Sequence, residues 1–567
     1  MSDGAAPARS PVEFIKERSR LLRGTIAEGV RDMTTGALAE DDTQLTKFHG
    51  IYQQDDRDLR PERARRKMEK AFIFMARLRV PGGMVTPAQW LALDRIAATR
   101  ANGTLRITTR QTVQFHGIIK SNLRHALQEI NGALLDTIAA CGDVNRNVIA
   151  TANPYESAAH ADVVAAARAI SAHLRPHSRA YHEIWLDNEK VAGGEPEEEP
   201  IYGAGYLPRK FKIAIAVPPH NDVDVLAHEI GLIATVVNDR VVGYTVAVGG
   251  GMGMTHGEPQ TYPRLGEVMG WCDAGQVIDV CEKILTVQRD FGNRGDRRQA
   301  RMKYLIAARG LDWFRARVEE RLGWRLAPPR PFTFTATGDR LGWSADQAGN
   351  WHFTLSVENG RVADRDGLTL RSGLAEIARA HDGAFILTCN QNLVIANVRP
   401  PSRGQIDAIL ARHGIANPEG GLRRNAMACV ALPTCGLALA ESERYLPALV
   451  GRLETLLDEA GLAGEEIVIR MTGCPNGCAR PYLAEIGLVG RAPGVYNLYL
   501  GAAFDGTRMN RLYRRDLDEA GIIAALAPLF AGYARQRREG ERFGDFALRT
   551  GIVPAGEDPA HFHQPSG

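Results

Sequence analysis

Four cysteines fall into two close pairs in the last third of the chain. Cys429 and Cys435 are separated by five residues in ACVALPTC, and Cys474 and Cys478 by three in TGCPNGC. The intervening Pro-Asn-Gly is strong turn sequence, so both sulfurs of the second pair can converge on one inorganic centre. The spacing therefore predicts two cysteine loops that share a metal site.

Three kinds of site are consistent with these cysteines. An iron–sulfur cluster usually has four thiolate ligands. A structural zinc site also takes four, but its cysteine pairs typically lie two to four residues apart, so the longer gap fits poorly. Buried structural cysteines are not expected as two pairs on loops. The pattern favours a cluster and leaves zinc open, and core positions are predicted for the remaining cysteines, which are Cys141, Cys272, Cys281 and Cys389.

Basic residues also recur in short β-like runs, where alternate side chains share a face. Lysine plus arginine (69) nearly balances aspartate plus glutamate (66), and the net charge of +3 does not indicate a nucleic-acid-binding protein. An anionic ligand must therefore be bound by a local cluster of cations. A solvated strand edge explains most such pairs equally well. The runs are Arg77 with Arg79, Arg106 with Arg110, and Arg209 with Lys210 and Lys212.

The elements that must position these residues follow an α+β pattern. A strand is predicted over IAIAVPP (213–219) and a helix over 162–174, whereas residues 1–60 are polar and predict an extended, partly disordered arm. Residues 106–116 can be laid over 386–396 with Gln111 on Gln391, which suggests a weak internal repeat. We find no run of about 20 apolar residues and no apolar signal core, so a cytoplasmic protein is expected.

The motifs, taken together, resemble one known family. The cysteine block, AEIGLVGRAPGVYNLYLG after it, and FHGIYQQDDRD, RQTVQFHGI, NRNVIATANPYES and YLPRKFKIA before it resemble the sirohaem and [4Fe-4S] sulfite/nitrite reductase family. The resemblance runs from about residue 45 to 553. It implies a three-domain α+β architecture with an internal pseudo-twofold repeat of mixed sheets and helices. The implied parts are an N-terminal arm (1–70), ferredoxin-like half-repeats (71–138 and 340–416) in one domain, and two reductase repeats (139–339 and 417–567).

The resemblance also implies roles for individual residues. Cys429, Cys435, Cys474 and Cys478 would hold a [4Fe-4S] cluster, and Cys478 would also be axial to the sirohaem iron. Sirohaem carries eight carboxylates, which require arginine and lysine partners when buried. The implied catalytic residues are Arg77, Arg146, Lys210 and Lys212. Arg79 is an alternative to Arg77. The implied cofactor-binding residues are Arg106, Arg110, Gln111, His116, Asn147, Arg209, Asn390, Gln391 and Asn392, although a single strand histidine such as His116 is more often a core residue.

The implied reaction is the six-electron reduction of sulfite to sulfide, a step of sulfate assimilation and cysteine biosynthesis. We find no convincing flavin or dinucleotide fingerprint, and the run at Gly249–Gly253 lacks G-x-G-x-x-G spacing. Electrons must then come from a partner. The resemblance is strongest to members served by an NADPH-oxidising flavoprotein with FAD and FMN, and the N-terminal arm is the candidate docking element. The alternatives are a ferredoxin-dependent sulfite or nitrite reductase and, more remotely, a non-catalytic zinc- or cluster-stabilised scaffold.

Overall fold

The β-branched runs of the sequence form strands, which the computed structural model arranges in four five-stranded sheets and one two-stranded sheet. The structure describes residues 9–186, 197–556 and 562–566. No helix in these ranges is long and apolar enough to cross a membrane. The strands are β1 Ile51–Asp55, β2 Phe72–Arg77, β3 Met84–Val85, β4 Leu105–Ile107, β5 Val113–Ile118, β6 Ile149–Ala150, β7 Ile213–Ala216, β8 Ile230–Val237, β9 Arg240–Val248, β10 Glu267–Asp273, β11 Gly342–Ala345, β12 Trp351–Leu355, β13 Arg361–Val362, β14 Asp364–Arg365, β15 Leu368–Thr369, β16 Ala384–Leu387, β17 Leu393–Val398, β18 Ala426–Ala428, β19 Ile469–Thr472, β20 Ile486–Ala492, β21 Val495–Leu500 and β22 Arg511–Leu517.

Helices cover the sheets, and most of them bury an apolar face, although α4 (Arg60–Arg65) has no buried residue. In the helix that begins at Pro87, Thr86 and Gln89 form a reciprocal capping box, and the buried side chains Trp90, Leu93 and Ile96 follow the helical period. The helices are α1 Pro11–Arg18, α2 Ile26–Arg31, α3 Glu40–Leu45, α4 Arg60–Arg65, α5 Pro87–Arg100, α6 Lys120–Gly132, α7 Ala158–His173, α8 Ala180–Trp185, α9 Val277–Phe291, α10 Met302–Arg309, α11 Leu311–Leu322, α12 Leu370–Ala380, α13 Arg403–Arg412, α14 Gly421–Arg424, α15 Leu446–Glu459, α16 Glu519–Gln536 and α17 Phe543–Arg549.

Two of the sheets belong to the ferredoxin-like halves and have matching strand orders. One sheet runs β1-β2-β5-β4-β13 and the other runs β11-β12-β17-β16-β3. Each sheet takes its last strand from the other half, since β13 pairs with β4 and β3 pairs with β16. The turn before β5 has Gln111 at φ +47°, and the turn before β17 has Gln391 at φ +68°. The predicted internal repeat is thereby confirmed.

The other two five-stranded sheets also match each other. One runs β6-β7-β8-β9-β10 and the other β18-β19-β20-β21-β22. In both, the first three strands are parallel and the last two are added antiparallel. This agrees with the α+β class and the pseudo-twofold architecture expected above, while the exact domain boundaries stay predictions.

The described part of the N-terminal segment differs from the extended arm that the sequence predicts. Residues 9–70 are not an extended arm, because β1 pairs with β2 from Ile51↔Ala76 onward and α1 is anchored on the body of the protein. The buried ammonium of Lys16 donates to Glu13 Oε1 at 2.6 Å and to the Leu207 carbonyl at 2.7 Å. The helices here are only six to eight residues long, so no long apolar period marks them in the sequence. The first eight residues of the expected arm lie outside the described residues.

Candidate active site

The two cysteine loops leave the same edge of one sheet. Cys429 follows β18 directly and Cys474 follows β19 after one glycine, and these strands are parallel neighbours. The carboxyl ends of parallel strands meet at one edge, so both loops start side by side. The Cys429 backbone N–H donates to the Met471 carbonyl at 3.1 Å, and the Gly473 N–H donates to Cys429 Sγ at 3.3 Å. The topology therefore unites the two pairs.

The thiols share a crowded, partly buried environment. Cys429, Cys435 and Cys474 are half-buried, and Cys478 is exposed. Burial and then the neighbouring Cys478 raise the pKa of the Cys429 thiol to about 12 and also raise the pKa of Cys435. Four thiolates can coexist there only with a cationic centre to stabilise them.

The donor set fits a cluster better than a single metal ion. Within the described ranges, no group of three or more His, Cys, Asp or Glu side chains is arranged to hold one metal ion. A four-iron cluster needs wider spacing, since each thiolate binds a different iron. The four cysteines, which the fold brings to one sheet edge, match that requirement.

A strongly cationic cleft opens beside Cys478. It is lined by residues of both reductase repeats and by the turn before β5, including Arg110, Lys210, Lys212 and Arg301. Lys210 Nζ donates to Asn476 Oδ1 at 3.1 Å, which joins the lysine run directly to the second cysteine loop. The lysines of the predicted basic group therefore lie beside the second pair of predicted iron–sulfur ligands.

The cations in and beside this cleft are only partly paired. Arg301 pairs with Glu229 and Arg480 with Asp224, whereas Lys212 and Arg209 have no ion-pair partner among the described residues. Burial, followed by neighbouring positive groups such as Arg209 and Arg301, holds the pKa of Lys210 well below its ordinary value, and the same holds for Lys212 beside Lys210. Burial also lowers the pKa of Arg209 to about 10. Unpaired, partly desolvated cations are costly, so the cleft is suited to a polyanion.

Arg77 and Arg146 are placed differently from Arg79. Arg77 Nη1 lies 2.8 Å from Cys141 Sγ, and the Arg146 guanidinium donates, among the described residues, to the Gly142 carbonyl alone, at 3.2 and 3.3 Å. Arg79 forms a two-point ion pair with Asp136, with Nε–Oδ1 at 2.9 Å and Nη2–Oδ2 at 2.6 Å. An acid satisfies the Arg79 fork, whereas Arg77 lies against the Gln114 amide and neither Arg77 nor Arg146 has an acidic ion-pair partner among the described residues.

Comparisons with known proteins agree with this geometry. The family domain described as "Nitrite and sulphite reductase 4Fe-4S domain" matches residues 165–326, and the "Nitrite/Sulfite reductase ferredoxin-like half domain" matches 66–133 and 344–413. Proteins named sulfite reductase (NADPH) hemoprotein beta-component are similar throughout. The Staphylococcus saprophyticus protein is 56% identical over 555 residues (97% of both chains), and the Chromohalobacter salexigens protein is 57% identical over 558 (98% of this chain, 97% of the other).

The chain belongs to the nitrite and sulfite reductase family. The Mycobacterium tuberculosis NirA protein shares the fold, with a TM-score of 0.76 over 98% of both chains at 24% identity. The matched 4Fe-4S domain covers the first reductase repeat, and all four paired cysteines lie outside it, in the second.

Several residues that the family resemblance assigns to cofactor binding hold backbone segments in this structure. Arg106 donates to Glu443 Oε2 at 3.0 Å and to the Ala428 carbonyl at 2.9 Å, next to Cys429. The Asn147 amide bonds both backbone groups of Val80 and the Arg110 carbonyl. Arg106 and Asn147 therefore hold the backbone of neighbouring segments in place.

The two turn glutamines and their neighbours behave similarly. Gln111 exchanges hydrogen bonds with both backbone groups of Ala150, and Gln391 Nε2 donates to the Ala428 carbonyl at 3.0 Å. Asn390 and Asn392 both donate to the carboxylate of Asp339, at 3.0 and 2.9 Å. The side-chain amides of Asn390 and Asn392 are therefore bound to the Asp339 carboxylate in this structure.

Arg110 and His116 are buried with unused atoms. Arg110 Nη2 donates to the Ile213 carbonyl at 3.2 Å, and neither Arg110 Nε nor His116 Nδ1 has a partner among the described residues. Burial lowers the pKa of Arg110 to about 9. Burial and then Arg361 hold the His116 pKa well below its ordinary value, so His116 is neutral.

The cleft also contains residues that we did not single out in the sequence. Arg301 Nε donates to Glu229 Oε1 at 2.6 Å inside the first repeat, and this pairing has no local sequence signal. Asn476 and Arg480 line the cleft as well. Both lie in or beside TGCPNGCAR, so the cysteine motif could have identified them.

The first repeat has no second cysteine site. Asp222 stands two residues before Asp224, which precedes the 3₁₀ turn Val225–Ala227, while Cys478 stands two before Arg480, which precedes the corresponding turn Pro481–Leu483. Burial raises the pKa of the Asp222 carboxyl to about 7. A carboxyl group at the cysteine's position removes the soft ligand that a cluster needs, so only one half of the family's pseudo-twofold structure can hold the metal centre.

Proposed function

We propose that this chain is the haem-bearing subunit of an assimilatory sulfite reductase, which reduces sulfite to hydrogen sulfide with six electrons. The observation that carries the proposal is that the second cysteine loop, through Cys478, borders a cationic cleft in which Lys212 has no ion-pair partner among the described residues. Relatives at 56% identity over nearly the whole chain, named as sulfite reductase (NADPH) hemoprotein beta-component, support it. A [4Fe-4S] cluster and sirohaem would relay electrons from an external donor and would provide an iron that binds sulfite.

The chain's own residues would have distinct roles. Cys429, Cys435, Cys474 and Cys478 would hold the cluster, and the exposed Cys478, beside the cleft, would also bind the sirohaem iron. Arg110 and Arg209 are candidates to pair with sirohaem carboxylates.

Sulfite would be held and protonated by the remaining cations. Arg77 and Arg146 have no acidic ion-pair partner among the described residues, and a planar guanidinium suits an oxyanion, so they would bind and orient sulfite. Lys210 and Lys212 have lowered pKa values, so each ammonium can give up a proton to a departing oxygen. The roles are divided in this way because a guanidinium group holds its protons more strongly than an ammonium group does.

The proposal is tested with the purified protein. Tetrapyrrole bands, iron, acid-labile sulfide and sulfite-dependent oxidation of a reduced artificial dye are expected together. A colourless zinc protein would reject the proposal. Faster turnover of nitrite than of sulfite under the same donor would favour the nitrite reductase alternative.

The beta-component name of the relatives indicates an alpha partner. We propose that it is a flavoprotein with FAD and FMN that oxidises NADPH, and that the docking element is narrower than the arm expected from the sequence. Residues 57–70 carry seven basic and three acidic residues. Arg57 joins this segment to the first cysteine loop, because its backbone N–H donates to the Pro433 carbonyl at 3.3 Å and its Nη1 to the Ala438 carbonyl at 2.6 Å.

The surface around this junction is suited to an acidic electron donor. Arg65 and Lys70 are exposed and have no ion-pair partner among the described residues. Leu437, two residues after Cys435, is 66% exposed and offers an apolar contact close to the proposed cluster. Deleting residues 1–60 would remove β1 from its sheet, so point substitutions are the cleaner test.

Reversing two charges should weaken docking alone. For Arg65→Glu with Lys70→Glu, we expect NADPH-driven sulfite reduction at low salt to fall roughly tenfold, because opposite charges accelerate association. High salt should shrink the difference. Dye-driven turnover should stay unchanged, and the exposed Arg325→Glu is the matched control. Equal losses in the NADPH and dye assays would contradict this docking surface.

Arg77 and Arg79 should respond differently to substitution. Arg77→Met should lower dye-driven kcat by about 10²-fold, as for loss of a charged donor in the transition state. Arg79→Met breaks the ion pair with Asp136, so it should lower the melting temperature with little change in kcat per haem. Thermal unfolding and turnover of both variants are the measurements, and the reverse pattern would assign the role to Arg79.

Two coarser proposals complete the assignment. The domain boundaries given above are proposed to hold, with residues 9–70 packed on the first half instead of forming an arm. A cytoplasmic location is proposed because none of the eight cysteines, all of them in the described residues, forms a disulfide bond.

A further inference from the structure

Asp224 and Arg480 occupy equivalent positions in the two reductase repeats. Strands β7 and β19 each have four residues, and each leads to a 3₁₀ turn, Val225–Ala227 or Pro481–Leu483. Asp224 and Arg480 immediately precede these turns and have left-handed backbones, with φ/ψ of 48°/60° and 53°/50°. Non-glycine residues rarely adopt this conformation, so its presence at both positions supports the structural equivalence of Asp224 and Arg480.

These two equivalent residues are bonded to each other. Arg480 Nε donates to Asp224 Oδ2, and Arg470 Nη1 donates to the same oxygen at 2.6 Å. Asp224 is 1% exposed and Arg480 is 5% exposed. Equivalent groups in direct contact lie at the pseudo-twofold axis, so this buried ion pair marks where that axis passes between the two repeats.

The rest of the Arg480 guanidinium joins the two ferredoxin-like halves. Nη1 donates to the Thr109 carbonyl at 3.2 Å and Nη2 to the Cys389 carbonyl at 3.1 Å. Thr109 and Cys389 are themselves equivalent, since each lies two residues before its turn glutamine, Gln111 or Gln391. One side chain thus ties together both turns and both repeats.

This arrangement bears directly on Cys478. Arg480 follows Cys478 by two residues, and Thr109 Oγ1 donates to the Cys478 carbonyl at 3.1 Å. The Cys478 carbonyl is therefore held by Thr109, and the Thr109 carbonyl is in turn held by the Arg480 fork. Arg470 shares the Asp224 carboxylate but reaches neither turn.

We propose that Arg480 is a positioning residue, which sets the Cys478 thiolate through its simultaneous contacts with Asp224, Thr109 and Cys389. The inference rests on the proposed role of Cys478 as the thiolate shared by cluster and haem. Only a planar fork can reach three acceptors in three directions, so lysine should replace it incompletely.

Arg480→Gln in the holoprotein is the test. We expect iron, labile sulfide and haem contents close to those of the wild type, together with a several-fold smaller fraction of haem that shows magnetic coupling to the cluster in the electron paramagnetic resonance spectrum. Dye-driven kcat should fall about 10²-fold with the KM for sulfite nearly unchanged, as expected for a misplaced reacting group.

Arg470→Gln is the matched control, because it removes a buried cation from the same carboxylate. It should lower thermal stability to a similar extent while keeping coupling and kcat within about threefold of the wild type. Unchanged coupling in Arg480→Gln, or an equal loss of coupling in both variants, would overturn the inference. Absence of coupling in the wild-type protein would instead reject the proposed role of Cys478.

If Arg480→Gln does not fold, the Arg480→Lys variant provides the test. Lysine keeps the charge opposite Asp224 but not the fork, so coupling between that of the wild type and zero is expected. Full wild-type coupling would overturn the inference. Failure of cofactor uptake in both Arg480 variants, with normal uptake in Arg470→Gln, supports it, and failure in all three overturns it.

Discussion

Replacing Cys478 with serine is expected to abolish sulfite reduction. A serine hydroxyl stays protonated at neutral pH and is a poor ligand for iron, whereas a thiolate is a soft, strongly binding one. Cys478 is also the cysteine that lines the cationic cleft, so its loss should disconnect the cluster from the site of catalysis. Dye-driven sulfite turnover and iron content per chain are the measurements.

The control is a cysteine of similar chemistry outside the site. Cys272 is buried in β10, and burial raises the pKa of its thiol to about 12. Cys272→Ala should keep full cofactor content and turnover per haem, at a modest cost in stability. If Cys478→Ser retained wild-type turnover, the assignment of the metal ligands would be wrong.

Replacing Lys212 with methionine should lower kcat by about 10²–10⁴-fold, the usual contribution of a positioned proton donor. Methionine retains the length of the apolar stem, so the packing of the side chain is largely kept. Because Lys212 has no side-chain partner in the described residues, no structural ion pair is lost with it. The KM for sulfite should rise less than kcat falls.

The pH dependence supplies a second readout for Lys212. Burial and the neighbouring Lys210 hold its pKa well below the ordinary lysine value, so the ammonium loses its proton at a lower pH than an exposed lysine does. Turnover of the wild type should therefore fall as pH rises through this lowered pKa, and the Lys212→Met variant should lack that limb.

A surface lysine provides the comparison. Lys283 on α9 pairs with Glu282 at 2.7 Å, away from the cleft residues. Lys283→Met should leave kcat and its pH profile unchanged. A Lys212→Met variant in which only KM rose would show that Lys212 binds sulfite without donating a proton.

The sequence by itself predicted a four-cysteine metal site, with an iron–sulfur cluster favoured and zinc left open, and it suggested the internal repeat. Ligand spacing such as that of Cys474 and Cys478 is local, because a tight turn converges two side chains whatever the rest of the fold does. The α+β class and the equivalence of Gln111 and Gln391 could also be predicted from the sequence, because strand alternation and turn residues are short-range signals.

Only the tertiary structure decided how the cations are used. Arg106 is bound by Glu443, Arg79 by Asp136, and the two asparagines of the second turn by Asp339. None of these acids is marked in the sequence, because a salt bridge between distant segments leaves no periodic pattern. The packing of residues 9–70 was hidden for the same reason, since short helices gain their stability from burial against the body and not from their own sequence. Charge and reactivity are properties of a residue, but whether a charge is paired or free depends on what the fold places opposite it.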